Sequence, residues 1–225
     1  MKYISQVEAW EDPGQVDYIH RDALRLYKKP LEELSAPQIK SVLNMRYGAI
    51  NQFRPNIARF IINMFNPRTV MDSCAGWGGR CLGAMSLDKN YIGIDTNVEL
   101  MYDYSDMVKM YPSDSSVTII NKDALNINYE EHIYDLFFTS PPYSNKEKYL
   151  GMPIYPDFIK DWLLPLVKKT YAGLQPRGNY CLNIPHDHFL AVQEVLGSPT
   201  NIIHIKKNYR PNCNNHEKIY HWYKN

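Results

Sequence analysis

The stretch VMDSCAGWGGR, Val70 to Arg80, decides how this chain is read. The short run Arg68 to Asp72 reads as a strand, and the residues beyond the glycines open a helix around Arg80 to Ser86. Small residues at such a strand-to-helix turn let the backbone come close to a ligand, which is the setting a nucleotide-binding turn needs. Gly76 and Gly78 fill the first two positions of the dinucleotide fingerprint, but Cys81 stands in the third, and no GxxxxGK phosphate loop is present. A tight structural turn is the other reading of a glycine cluster taken alone.

After Pro67 the pattern alternates strand, turn and helix. Strands are expected at Tyr91 to Asp95, Val117 to Asn121, Tyr134 to Thr139 and Asn179 to Ile184, with helices near Val98 to Met110, Asp157 to Tyr171 (interrupted or kinked at Pro165) and Phe189 to Leu196. Such alternation implies an α/β fold, a mostly parallel central sheet with helices on both faces. Two last strands, Ile202 to Asn208 and Lys218 to Tyr223, read as a C-terminal antiparallel hairpin. Upstream, Ser35 caps a helix ending near Gly48, and Pro55 opens a helix over Asn56 to Phe65 with Ile57, Phe60, Ile61 and Met64 on one face. Met1 to about Pro30 lacks sustained periodicity and reads as an irregular arm. The expected division is 1–50, an N-terminal arm and helix, and 51–225, the catalytic domain.

With 225 residues, 44% hydrophobic and 22% charged, the chain can bury one good core. The apolar stretches are far shorter than a membrane span and the first residues have no secretory pattern, so an intracellular protein without a membrane partner is expected. Cys74, Cys81, Cys181 and Cys213 are too irregularly spaced for a zinc knuckle and read as free thiols. His186 and His188 lack a third spaced ligand, so no metal is expected and both read as loop residues. A net charge of +1 excludes a strongly basic nucleic-acid binder and leaves room for a local basic patch.

Asp95 closes the second strand in YIGID, where an acidic side chain can accept from both ribose hydroxyls of a nucleoside. Asp123, just past the third strand in NKDAL, can reach an adenine amino group at the same sheet edge. A solvated strand end is the plain reading of either aspartate alone, but three features at three successive strand ends point to one nucleoside site.

The fourth strand runs into TSPPYSNKEKY, Thr139 to Tyr149. Its Ser140-Pro141-Pro142-Tyr143 resembles the Ser-Pro-Pro-Tyr signature of the amino-methyltransferases that use S-adenosylmethionine to modify the exocyclic nitrogen of cytosine or adenine. The segment Asp72 to Gly79 resembles that family's cofactor loop, though its F-x-G-x-G pattern is only partly matched. The resemblance covers roughly Phe53 to the C-terminus. It implies a Rossmann-like methyltransferase fold and S-adenosyl-L-methionine as cofactor, held by Asp72, Cys74, Ala75, Gly76, Trp77 and Gly78 with Asp95 and Asp123. Phe53-Arg54-Pro55 is similar to the family's extra cofactor-contacting element.

The chemistry accounts for the residue types the resemblance brings. An exocyclic base amine is a poor nucleophile because its lone pair is delocalised, so two acceptors aimed at its N–H bonds would favour the pyramidal nitrogen of the transition state. In this reading the Ser140 hydroxyl and the Pro141 carbonyl are those acceptors, the prolines stiffen the turn, and Tyr143 stacks on the base. A base within a duplex would have to be flipped out. No Pro-Cys dipeptide is present, which argues against methylation at C5 of cytosine.

DNA is the expected partner, with a short or single-stranded target or a dimer, because the chain has little room for a long recognition region. Lys146 and Lys148, the hairpin residues Lys206, Lys207 and Arg210, and Arg21, Arg25, Lys28 and Lys29 of the arm are candidates for phosphate contacts or an ordinary solvated surface. The choice of base stays open. RNA base methylation, protein amide methylation and an inactive cofactor-binding subunit are the competing readings.

Overall fold

The computed structural model describes residues 6–47, 52–143, 153–205 and 217–225. They fall into two compact units, 1–51 and 52–225. The first unit holds the helices α1 (Gln6–Glu11), α2 (Pro13–Tyr27) and α3 (Ala36–Tyr47). The stretch expected to be an irregular arm is therefore helical over Gln6–Glu11 and Pro13–Tyr27. Asp12 accepts from the Gly14 N–H at 2.8 Å and Pro13 takes the first helical position, a start signal that outweighs weak periodicity. Ile19 and Ala23 of α2 pack with Leu31, Leu34 and Val42, and the buried Asp22 carboxylate pairs with Arg46 at 2.5 Å.

The second unit opens with α4 (Pro55–Phe65), then alternates β1 (Thr69–Asp72), α5 (Gly79–Met85), β2 (Asn90–Asp95), α6 (Leu100–Met110), β3 (Val117–Asn121) and β4 (Leu136–Thr139). A π-helical turn over Ile159–Leu163 leads into α7 (Leu164–Gly173), followed by β5 (Asn179–Asn183), α8 (His186–Leu196), β6 (Asn201–Ile205) and β7 (Glu217–Tyr223). The seven strands run in the order β3-β2-β1-β4-β5-β7-β6. All neighbours are parallel except β7, which is antiparallel to both β5 and β6. All four residues of β1 and of β4 are buried, as strands covered on both faces must be. Alternate residues feed two cores. Met71, Phe137, Tyr180 and Tyr220 join Trp162 and Phe189 on one face, while Val70, Leu136, Phe138 and Cys181 join Ile61, Ile62 and Cys81 on the other.

Two expectations are corrected, and the interruption expected in the helix at Pro165 is found beside it. The buried face of α4 is Ala58, Ile61 and Ile62, and Phe60 and Met64 are exposed, because the helix seats this narrower face on Cys81, Ala84 and Met85 of α5. His186 and His188 belong to α8 rather than to a loop, since Pro185 presets the entry and the Phe189 N–H bonds back to its carbonyl. The helix expected from Asp157 is interrupted one turn ahead of Pro165, where the Leu164 N–H reaches back five residues to the Ile159 carbonyl. Pro165 itself has no N–H to continue the α ladder. At the far end, the Lys224 ammonium donates to the carbonyls of Tyr171, Ala172 and Leu174, which ties the residues after β7 to the C-terminus of α7.

Candidate active site

The strand order reverses between β1 and β4, and ligands of open α/β sheets bind outside the carboxyl ends of the strands at such a point. Here the chain places the glycine loop after β1, Asp95 at the end of β2, Asp123 after β3 and Ser140 after β4.

Asp72 is the anchor of the loop. Fully buried, its carboxylate accepts from Arg80 Nε at 2.6 Å, Tyr91 Oη at 2.7 Å, Thr139 Oγ1 at 2.8 Å and the Cys74 N–H at 3.1 Å. Arg80 also donates to the Cys74 carbonyl. With four donors from its own chain, the Asp72 carboxylate anchors the loop. Burial, and after it the neighbouring Asp72 carboxylate, raises the Tyr91 phenol well above its ordinary range. Burial, then the Asp72 charge, pushes the Cys74 thiol up to about 12, so it is no thiolate nucleophile at neutral pH.

The loop is then clamped from outside. Gly76 and Gly78 have positive φ, 54° and 80°, the conformation that calls for glycine. Tyr104 Oη on α6 sits 3.0 Å from the carbonyls of Ala75 and Gly76. Phe53 lies against the start of α5, its ring 5.0 Å from the Arg80 guanidinium and edge-on to Phe138 at 5.4 Å. The Phe53-Arg54-Pro55 element is thus packed on the glycine loop, with Arg54 and Pro55 exposed. Trp77, at the loop tip, is 59% exposed.

Asp95 is half-buried, with Oδ2 accepting from the Gly76 N–H at 2.8 Å and Oδ1 from the Asn97 N–H at 3.0 Å. Each oxygen keeps capacity for a further donor, so the carboxylate fits a vicinal diol. Asp123 caps the turn after it by accepting from the Leu125 N–H at 2.8 Å, and its Oδ2 accepts from Tyr155 Oη at 3.1 Å. It too retains acceptor capacity.

Pro141 and Pro142 are buried, while Ser140 and Tyr143 are half-buried. Parallel pairing of Thr139 with Leu182 brings Ser140 beside Asn183, the last residue of β5. Ser140 Oγ donates to Asn183 Oδ1 at 3.1 Å, Tyr143 Oη lies 3.4 Å from the same oxygen, and Asn183 Nδ2 donates to the Lys218 carbonyl at 2.9 Å. Asn183, Arg80, Tyr91, Tyr104 and Thr139 were not singled out from the sequence. For Asn183 the signal existed, a polar residue ending an apolar strand, the same cue that marks Asp95. Lys146, Lys148, Lys206, Lys207 and Arg210 lie outside the described residues, as do Gly48 and Cys213. Among the described residues no helix is long and apolar enough to cross a membrane.

Comparisons with known proteins agree with this geometry. Residues 67–152 match a family model described as RNA cap guanine-N2 methyltransferase. The Type II methyltransferase M.MjaVI of Methanocaldococcus jannaschii is 36% identical over 87 residues, 36% of this chain and 43% of that protein, so less than half of the relative's length is matched. Among solved structures, a SAM-dependent O-methyltransferase of Thermotoga maritima superposes with a TM-score of 0.55 at 14% identity, covering 80% of this chain and 69% of its own. A 16S rRNA N2 methyltransferase of Thermus thermophilus, in complex with AdoMet and guanosine, gives 0.53 at 15% identity over 80% of this chain and 45% of its own. The chain has the Rossmann-like methyltransferase fold, and these similarities support an S-adenosylmethionine-dependent methyltransferase.

Proposed function

We propose that the protein transfers a methyl group from S-adenosylmethionine to the exocyclic amine of a DNA base, cytosine N4 or adenine N6. The observation that carries this reading is Ser140-Pro141-Pro142-Tyr143 leaving β4 at the sheet's switch point, beside the anchored glycine loop and Asp95. When bound, the cofactor supplies an electrophilic methyl group on a sulfonium. The residues that would hold it are Gly76, Trp77 and Gly78 of the loop, Asp95 through the ribose hydroxyls and Asp123 near the adenine. Ser140 Oγ and the Pro141 carbonyl accept from the two N–H bonds of the amine, turning its lone pair toward the methyl group, while Tyr143 covers the base. The N–C bond would form as the sulfonium's S–C bond breaks, leaving a neutral thioether, and the surplus proton of the nitrogen would pass to solvent. A base presented this way is unstacked, so a single strand or a flipped nucleotide is the substrate. The stretch shared with a Type II methyltransferase supports the DNA assignment.

A second reading, methylation of RNA at guanine N2, is favoured by the description of the family model over 67–152. Guanine N2 is also an exocyclic amine, and the same two acceptors serve it. The test is incubation of the purified chain with isotope-labelled S-adenosylmethionine and separate DNA and RNA pools, with Ser140→Ala as control. Label in DNA supports the first reading, label in RNA the second, and label in neither, with cofactor binding intact, rejects both.

A further inference from the structure

A serine hydroxyl is both donor and acceptor. If the Ser140 hydrogen pointed at the substrate amine, donor would face donor and the serine oxygen would be turned away from accepting the amine's N–H bonds. Asn183, 1% exposed, decides the direction. Its Oδ1 takes the Ser140 hydrogen at 3.1 Å and lies 3.4 Å from Tyr143 Oη. The orientation of an amide follows from its hydrogen bonds, and here a backbone group fixes it. Nδ2 donates to the Lys218 carbonyl on β7, next to Ile219, which pairs with Asn183 across the antiparallel ladder. A flipped amide would set Oδ1 against that carbonyl, acceptor facing acceptor, and turn its N–H group on Ser140 Oγ. A carbonyl cannot donate, so the flip is penalised.

We infer that Asn183 is a positioning residue: it draws the Ser140 hydrogen away from the substrate, so that the serine presents only lone pairs and the site selects a group with N–H bonds to give. The chain of control runs from the β7 backbone through the Asn183 amide to the Ser140 oxygen. This inference rests on the reading of Ser140 as an acceptor for an exocyclic amine.

The experiment is a double-substitution cycle on the full chain with Ser140→Ala and Asn183→Leu, reading kcat, cofactor affinity and folding together. Asn183→Leu is expected to lower kcat roughly tenfold, the effect of one mis-set hydrogen bond, and to leave cofactor affinity within about twofold. The double variant is expected to be no slower than Ser140→Ala alone, because Asn183 acts through that hydroxyl. Losses that multiply, or an unchanged kcat in Asn183→Leu, overturn the inference. A parent protein that methylates no nucleobase defeats the functional reading instead, and the Asn183 contact is then judged by NMR. There the 15N side-chain amide signal of Asn183 is expected to move on Ser140→Ala and to show slow exchange of the proton bonded to Lys218. An amide signal indifferent to Ser140→Ala refutes the contact whatever the substrate, and it does so even if Asn183→Leu fails to fold.

Discussion

Adding one methyl group at Gly79 should dismantle the cofactor loop from behind. A Cβ at this position would stand 1.9 Å from the Phe53 carbonyl oxygen and 3.0 Å from its carbonyl carbon, far inside the 3.4 Å at which ordinary contact begins. Both atoms are backbone, so no rotamer change relieves the overlap, and the Phe53 segment must retreat by an ångström or more. That retreat lifts the Phe53 ring from Arg80 and from the edge of Phe138. Overpacking of this kind costs about 1–3 kcal/mol, and the two ring contacts add about 0.5–1.5 kcal/mol each, so Gly79→Ala is expected to lose about 2–6 kcal/mol. Urea denaturation measures the stability and calorimetry the S-adenosylmethionine affinity, which should fall at least tenfold. Gly197→Ala is the control: its φ of +77° with ψ of −171° is a region that favours glycine, but nothing lies within 4 Å, so it should cost about 1–3 kcal/mol and spare cofactor affinity. A Gly79→Ala protein that loses less than 1 kcal/mol and binds cofactor normally would refute the packing of Phe53 on the loop as the element that sets its shape.

Asp95→Ala is expected to weaken cofactor binding by roughly tenfold or more, the value of charge-assisted hydrogen bonds, whereas Ser140→Ala should lower turnover and leave binding intact; equal effects on affinity would sink this division of roles. Tyr104→Phe removes the hydroxyl between the Ala75 and Gly76 carbonyls and should cost about 1 kcal/mol in stability with a severalfold loss of cofactor affinity, both read by the same two assays. Burial lowers the His221 pKa below its ordinary 6.5, so on acidification the unfolded chain takes up the proton before the folded one does. Stability therefore falls as pH drops below 6.5 toward the folded value, and His221→Gln should flatten that part of the stability profile; an unchanged slope contradicts the buried neutral ring.

Much of the fold was legible because its signals are local. The apolar runs ending in Asp72, Asp95 and Thr139 are short strands with punctuation at their ends, and the terminal hairpin shows as two strands around a turn-rich segment. Other features depend on tertiary partners. The face that α4 buries is chosen by α5, which displaces Phe60 and Met64 into solvent. The sequence marks Asp72 only as the start of the glycine stretch, and its partners Arg80, Tyr91 and Thr139 come from three other elements that only the tertiary fold gathers. Asn183 belongs to the same class, adjacent to Ser140 across β4 and β5 but 43 residues away along the chain.

The measurement that bears most directly on the account is the position of the transferred methyl group. After reaction with isotope-labelled S-adenosylmethionine, the nucleic acid is digested to nucleosides and each labelled product is fragmented in the mass spectrometer. The account predicts label on an exocyclic base nitrogen, strongly reduced in Ser140→Ala. Label on a ring carbon, on a ribose oxygen, or at the same level in Ser140→Ala contradicts it.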